Sequence, residues 1–316
     1  MPNGLNDFEQ GPDAFTELRP LLFAIAYRML GSVSDAEDIV QEAYLRYHRA
    51  LGDGTEIEST KAYLSAVVTR LAIDQLRSAR VRRETYVGQW LPEPLLTDGG
   101  ASDPATHAAD ADSLSMAFLL VLERLSPVER AVFLLHDVFR YEFGEIASMI
   151  GKSADNCRQI AVRARRRVAE ERPRFEASRA ERERLADRFV AALSDGDVNE
   201  LLELLAADVV VTGDNGGMRP SWPHPIVGRD KVARLLAGVA TQLRDMPGVA
   251  MSRVEVNGQP GLVVRDGDGQ LVNVFSFDIL DGAVQAIRSV ISREKLGHLG
   301  PLADVPALLA ARRERD

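Results

Sequence analysis

Apolar residues at Ala14, Phe15, Leu18, Leu22, Ile25, Ala26 and Met29 recur at spacings of three and four, which predicts a helix with one buried stripe, closed by Gly31. Ser34-Asp35-Ala36-Glu37 has the form of a capping box and opens a second helix. That helix runs through Ile39, Val40, Ala43, Tyr44 and Tyr47 to the Gly52-Asp53-Gly54 break. A third is expected from about Lys61 to Ser78. Residues 84–112 carry Pro92, Pro94, Gly99, Gly100 and Pro104 among scattered acids and read as a linker. Within it, Trp90–Leu96 is too apolar for a free tether and is expected to dock. Helical periodicity returns over 113–125, 127–138 and 143–150, then after a Gly151-Lys152-Ser153 turn over 154–171, and it continues to about Ser194. Beyond that the grammar changes. Short β-branched runs at 209–212, 254–256, 262–264, 272–277 and 284–290 alternate with Gly, Asp and Asn turns, so an α+β domain is expected from about residue 183.

Length and composition fit several soluble domains: 316 residues, 46% apolar and 27% charged. No apolar run reaches the roughly 18 residues a spanning helix needs. Met1–Phe15 lacks a basic stretch followed by an apolar one, so no secretory leader is expected and a cytoplasmic location is. The single cysteine, Cys157, leaves no internal disulfide and no Cys-rich zinc site. No metal or other cofactor is expected.

The net charge of −9 argues against nucleic acid until its distribution is read. Residues 1–84 carry 10 basic and 13 acidic groups, and residues 85–112 carry none and 5. Residues 113–184 carry 14 and 11, and residues 185–316 carry 14 and 18. Only the third block is positive, and phosphate binding depends on such local patches.

That block holds a helix–turn–helix pattern. Ser153 is placed to cap the second helix. Cys157, Ile160, Ala161, Ala164 and Val168 form one narrow apolar face. Asp155, Asn156, Arg158, Gln159, Arg163 and Arg166 form the opposite one, with Arg165 and Arg167 on the flanks. Forked polar side chains early in a helix can reach base edges, and later arginines hold phosphates. The plainer alternative is a solvated basic helix.

Two other segments carry charge. Asp35, Asp38, Gln41 and Glu42 lie on an acidic helix with no His at i+3 or i+4, which leaves a di-metal motif unsupported and a solvated face as the simple reading. Arg70, Arg77, Arg80, Arg82 and Arg83 follow an apolar helix containing Val67, Val68, Leu71, Ile73 and Leu76, and such a basic end suits a nucleic-acid edge.

In this order, the segments AFTELRPLLFAIAYRMLGSVSDAEDIVQEAYLRYHR, YLSAVVTRLAIDQLRSARVRRE and LSPVERAVFLLHDVFRYEFGEIASMIGKSADNCRQIAVRARRRV resemble bacterial extracytoplasmic-function (ECF) sigma factors over about residues 14–172. The resemblance implies a multidomain protein with two all-α modules, region 2 over 1–84 and a helix–turn–helix region 4 over 113–182, joined by the 85–112 linker. It gives the acidic helix a purpose. Asp35, Asp38, Gln41 and Glu42 would dock on the clamp helices of the polymerase β′ subunit, and region 4 would meet the β flap. Arg70, Asp74, Arg77 and Arg80 would help melt and hold the −10 element. The helix carrying Ser153, Asp155, Asn156, Arg158, Gln159, Arg163, Arg166 and Arg167 would read the −35 element. A membrane is not an expected partner, and no enzyme activity is implied.

Residues 183–316 are similar to the SnoaL-like, NTF2-like cone, a C-terminal α+β domain. An ECF subgroup with such a tail bears a WLPEP-type linker motif, present here as Trp90-Leu91-Pro92-Glu93-Pro94. Its tail motifs correspond to Asp214-Asn215-Gly216-Gly217-Met218, where the usual Lys is Met218, and to Ser292–Leu296, which keeps an acid-Lys-Leu core at Lys295 and Leu296. The resemblance implies that these residues regulate the sigma modules from within, so no dedicated anti-sigma protein is expected. A second reading gives the tail a small-molecule ligand or substrate, with Asp214, His224 and His298 as loose candidates for a base. A helix–turn–helix repressor is a third, but it leaves the acidic helix idle.

Overall fold

In the computed structural model the described residues are 12–84, 89–97, 113–171, 179–217, 224–246 and 248–308. Gly99, Gly100, Pro104 and Met218, and the side chains of Arg80, Arg82 and Arg83, lie outside them. The chain divides into two units. One comprises residues 1–84, 102–114 and 118–172, and the other residues 85–101, 115–117 and 173–316.

In the first unit the leading stripe folds as α1 (Pro12–Leu30), with Leu22, Ile25 and Met29 buried. Gly31 takes φ +66° and stops it. Ser32 follows in extended conformation, and its Oγ accepts the Asp35 N–H at 3.1 Å to open α2 (Val33–Gly52). The cap is thus Ser32, two residues before the expected Ser34, because the left-handed turn at Gly31 delivers an extended residue at once. Ser34 lies inside α2 with its hydroxyl 3.2 Å from that of Ser32. The third helix, α3 (Thr60–Glu84), is longer than the apolar pattern alone indicates.

The remaining helices are α4 (Met116–Leu122, whose first two residues belong to the second unit), α5 (Pro127–Phe133), a π turn over Leu134–Val138, α6 (Phe143–Ile150) and α7 (Ala154–Glu171). Gly151 at φ +66° ends α6, and Ser153 caps α7 by accepting from the Asn156 N–H at 3.2 Å. Buried polar groups tie these helices to the first three. Arg130 donates to the Met29 carbonyl at 2.6 Å and to Glu123 at 3.0 Å, and the Ser65 and Tyr141 hydroxyls meet at 2.8 Å. Arg28 is fully buried over the Phe139 ring, and its burial pulls its pKa down to about 10.

The second unit has α8 (Arg179–Asp195), α9 (Val198–Leu204), α10 (Arg229–Arg244) and α11 (Arg293–Leu296) with a six-stranded sheet. Its strands are β1 (Leu205–Asp214), β2 (Ile226–Val227), β3 (Ala250–Val256), β4 (Gln259–Arg265), β5 (Leu271–Leu280) and β6 (Ala283–Val290). They are ordered β2-β1-β6-β5-β4-β3, with β1 and β6 parallel and the other pairs antiparallel. Every β-branched run named from the sequence falls inside one of these strands. The core packs Phe189 of α8 edge-on to Phe277 of β5, ring centroids 5.0 Å apart, with Leu201, Val209, Val232 and Ile287 around them. The unit takes in α8 from its start at Arg179: Arg182 donates to Gln259 at 2.9 Å, and Ala186 and Phe189 enter this core. Residues 89–97 of the expected linker also belong here.

Candidate nucleic-acid and partner-binding surfaces

The α7 face is built by periodicity. Cys157, Ile160, Ala161, Ala164 and Val168 are all buried, so Asp155, Asn156, Arg158, Gln159, Arg163, Arg166 and Arg167 must point outward, and all are exposed. Several are held in place. Arg158 pairs with Asp155 and lies 5.6 Å from the Phe143 ring centroid, and Arg166 reaches Glu170 at 3.1 Å. Arg167 binds Glu129 at 2.7 Å and Arg165 binds Asp137 at 2.7 Å, which fastens the helix to the elements beneath it. Burial pushes Glu129 up, but hydrogen bonds from Ser126 and the Arg167 charge outweigh it and hold the carboxyl below its ordinary pKa. These ties make Arg167 a brace between α7 and Glu129. Val162 stands 63% exposed in the middle of the polar face, one turn beyond Arg158 and Gln159. Sequence reasoning passed over it, although an apolar residue on a helix's polar face is a readable signal.

On α3, Arg77 pairs with Asp74 at 3.0 Å on an exposed face. Arg70 is engaged differently: its Nε and Nη2 donate to the carbonyls of Met149 and Ser148, at 2.6 and 3.0 Å. It satisfies the C-terminal carbonyls of α6, a position favoured for a cation. Arg80 lies in α3, its side chain beyond what is described.

On α2, Asp38 and Gln41 are exposed and Glu42 half-buried. Arg46 hydrogen-bonds Glu42 at 2.7 Å and lowers its pKa. Asp35 is engaged differently, accepting from Gln75 of α3 at 2.9 Å. Leu45, 41% exposed, continues the stripe at i+7 from Asp38 and was also missed.

The third surface is a strap. Residues 89–97 run along the sheet of the second unit, Leu91 through Pro94 buried. The Leu91 N–H donates to Asp214 Oδ2 at 2.8 Å, and Lys295 Nζ donates to the Leu91 carbonyl at 2.6 Å. Lys295 also pairs with Asp214, both side chains buried, and its Nζ lies 4.5 Å from the Trp90 ring centroid. Farther on, Leu95 exchanges bonds with Asn257, donating to its Oδ1 at 2.9 Å and accepting its N–H at 2.8 Å. The Thr97 N–H reaches the Glu255 carbonyl at 2.9 Å. An antiparallel bridge pairs Leu96 with Val256, so the strap extends the sheet beyond its edge strand β3.

Of the tail residues singled out by resemblance, Asp214 and Lys295 bond to the strap at Leu91. Asp214 also accepts the Gly216 N–H at 3.1 Å, and its carbonyl accepts the N–H groups of Ile291 and Ser292. Gly216 sits at φ +61°, and a Cβ there would lie 2.7 Å from Ser292 Oγ. The Gly217 N–H closes the loop onto Asn215 at 3.2 Å, and Leu296 is buried. Glu93 is 4.0 Å from His298, whose Nε2 meets the Pro94 carbonyl at 2.8 Å. Asp214 and His298 are thus engaged in holding the strap, and His224 is exposed. Asn257 and Glu255 were not foreseen, although Asn257-Gly258, both at positive φ, is a hairpin signal.

Among the described residues no three His, Cys, Asp or Glu are grouped to hold a metal, and no helix is long and apolar enough to cross a membrane.

The chain matches the Sigma-70 region 2 family over residues 14–82 and the Sigma-70, region 4 family over residues 115–168. It is 38% identical over 291 residues to the ECF RNA polymerase sigma factor SigJ of Mycobacterium tuberculosis, covering 89% of this chain and 91% of that protein. The probable ECF RNA polymerase sigma factor SigI of the same species is 34% identical over 290 residues, covering 89% and 93%. The crystal structure of M. tuberculosis SigJ superposes with a TM-score of 0.73 at 36% identity, covering 93% of this chain and all of that one.

Proposed function

The chain belongs to the extracytoplasmic-function sigma factors, and from that premise we propose how its surfaces divide the work of initiation and how its C-terminal domain controls it. As a sigma factor it works with core RNA polymerase and promoter DNA to direct promoter-specific initiation, and it is not an enzyme. We read the C-terminal unit, a mixed six-stranded sheet packed with helices, as SnoaL-like.

The α2 stripe of Asp38, Gln41, Glu42 and Leu45 forms the contact with the β′ clamp helices, acids around one apolar anchor. Asp35 supports it through Gln75. The α7 face reads the −35 element in the major groove. Asn156, Arg158 and Gln159 address base edges, Arg163 and Arg166 address phosphates, and Val162 packs on a thymine methyl. The second half of α3 serves the −10 element. Elements centred about 25 base pairs apart, at 3.4 Å each, are separated by about 85 Å. The 25-residue α3 spans only about 37 Å. Region 2 and region 4, tied here through Arg70 to the end of α6, therefore part on promoter binding, and parting frees Arg70 for DNA.

The strap carries the regulatory reading. It lies in sequence between regions 2 and 4, yet its backbone is bonded to Asp214, Lys295, Glu255 and Asn257 of the C-terminal domain. A strap held there shortens the chain available between the two regions, and a released strap lengthens it. In-vitro transcription from a promoter series with varied spacing between the two elements tests this. The full chain should prefer one spacing, and Asp214→Asn should broaden the preference. Identical spacing profiles would refute the regulatory role while leaving sigma activity intact.

A further inference from the structure

The C-terminal domain contains a cavity of about 180 Å³ between the sheet and α10, closed at one side by the segment carrying Val305 and Leu308. Its wall is chiefly apolar, with Met246, Val264, Phe275 and Ile291 among the lining residues. Two buried polar side chains also line it. Asn273 and Ser289 are hydrogen-bonded to each other, Nδ2 to Oγ at 2.9 Å and Oγ to Oδ1 at 3.2 Å. Each bond uses part of their capacity, since a primary amide has two N–H donors and its oxygen two lone pairs.

Charge narrows the occupant. Among the described residues no Lys, Arg or His lines the cavity, so an anion would enter beside no described counter-charge. The one charged group in the lining, among the described residues, is Asp214, whose carboxylate is taken up by Leu91, Lys295 and Gly216. It is already neutralised, which removes the attraction for a cation. A dry cavity of about 150 Å³ accepts benzene. Scaled from that, this one accepts roughly seven or eight non-hydrogen atoms.

We propose that the C-terminal domain binds a small, neutral, mainly apolar molecule, a single ring or short chain with one hydrogen-bonding end directed at the Asn273–Ser289 pair. The site does not depend on the strap's role, although Asp214 belongs to both.

The probes are p-cresol, toluene and benzoate, matched in ring size and differing in polar end and charge. They are titrated into the full chain with methyl-labelled methionine, with the Met246 signal assigned by Met246→Leu. Saturable shifts of Met246 by p-cresol, at least tenfold weaker with toluene and absent with benzoate, are expected. Val239→Phe places a ring from half-buried α10 into the cavity and should abolish binding while the thermal transition is kept. Asn273→Leu with Ser289→Ala replaces both partners by apolar groups, a change a fold tolerates well, and should erase the preference for p-cresol over toluene. Absence of saturable binding, equal binding of benzoate, or binding that survives Val239→Phe would overturn the site. A cresol preference surviving the double replacement would overturn its polar end.

Discussion

Lys295→Met is the sharpest perturbation of the strap. The side chain is 8% exposed and its partner Asp214 fully buried, so surface screening does not apply. Methionine keeps most of the apolar stem and removes the ammonium. Asp214 then retains the N–H groups of Leu91 and Gly216 but loses its counter-charge, and the Leu91 carbonyl loses a donor. Breaking a buried pair from one side costs about 3–5 kcal/mol. Were all of that expressed in opening of the strap, protected strap amides would exchange roughly 10²- to 10³-fold faster or more, at 1.4 kcal/mol per factor of ten. Hydrogen exchange followed by mass spectrometry reads this at Leu91, Leu95 and Thr97, with Phe277 in the core as the unaffected reference. Adding Asp214→Leu removes the carboxylate that Lys295 had faced and should slow strap exchange again, though not to wild type, because the Leu91 N–H stays without its acceptor. Strap exchange unchanged in Lys295→Met, or a double variant worse than the single, would refute the reasoning.

Leu45→Asp places a carboxylate where an apolar anchor is assigned; it should weaken core polymerase binding at least tenfold by fluorescence titration while circular dichroism stays native, because the site is already solvated. Val162→Ser should lose discrimination between thymine and uracil at one −35 position, measured with uracil-substituted promoters, and leave the salt dependence of binding unchanged. Glu129→Gln removes the charge that Arg167 and Ser126 share and should destabilise the helix–turn–helix by about 1–2 kcal/mol. Because its folded pKa is depressed, that stabilisation is full above the unfolded carboxyl's pKa and is lost as pH falls through the folded value; Glu129→Gln should flatten this acid limb of the melting profile. Cys157, fully buried with its thiol pKa raised by burial, should react with thiol reagents only as fast as α7 opens, so alkylation should track local unfolding.

What could be read in the sequence follows the range of the forces involved. The α7 face was legible residue by residue because helical periodicity and the Ser153 cap are local, and both appear as expected. The shift of the α2 cap to Ser32 turned on the left-handed geometry at Gly31, for which Ser34 gave a plausible decoy. The docking of Trp90–Leu96 was legible from its apolarity, but its seat was not. Leu91 and Asp214 are 123 residues apart, and no periodicity links them. Resemblance named the Asp214 and Lys295 stretches, and their convergence on Leu91 is a tertiary fact. Arg70 shows the same limit: a basic helix end looks like a nucleic-acid edge whether or not its first arginine is engaged by a neighbouring helix.

The most direct measurement is run-off transcription with purified core polymerase, the full chain and the promoter upstream of its own coding sequence, comparing wild type with Lys295→Met. The account predicts that wild type initiates at a defined start site, and that the variant still initiates there but with altered output or spacing preference once its strap exchanges freely. A strap shown by exchange to be free, with transcription indistinguishable from wild type, would contradict it.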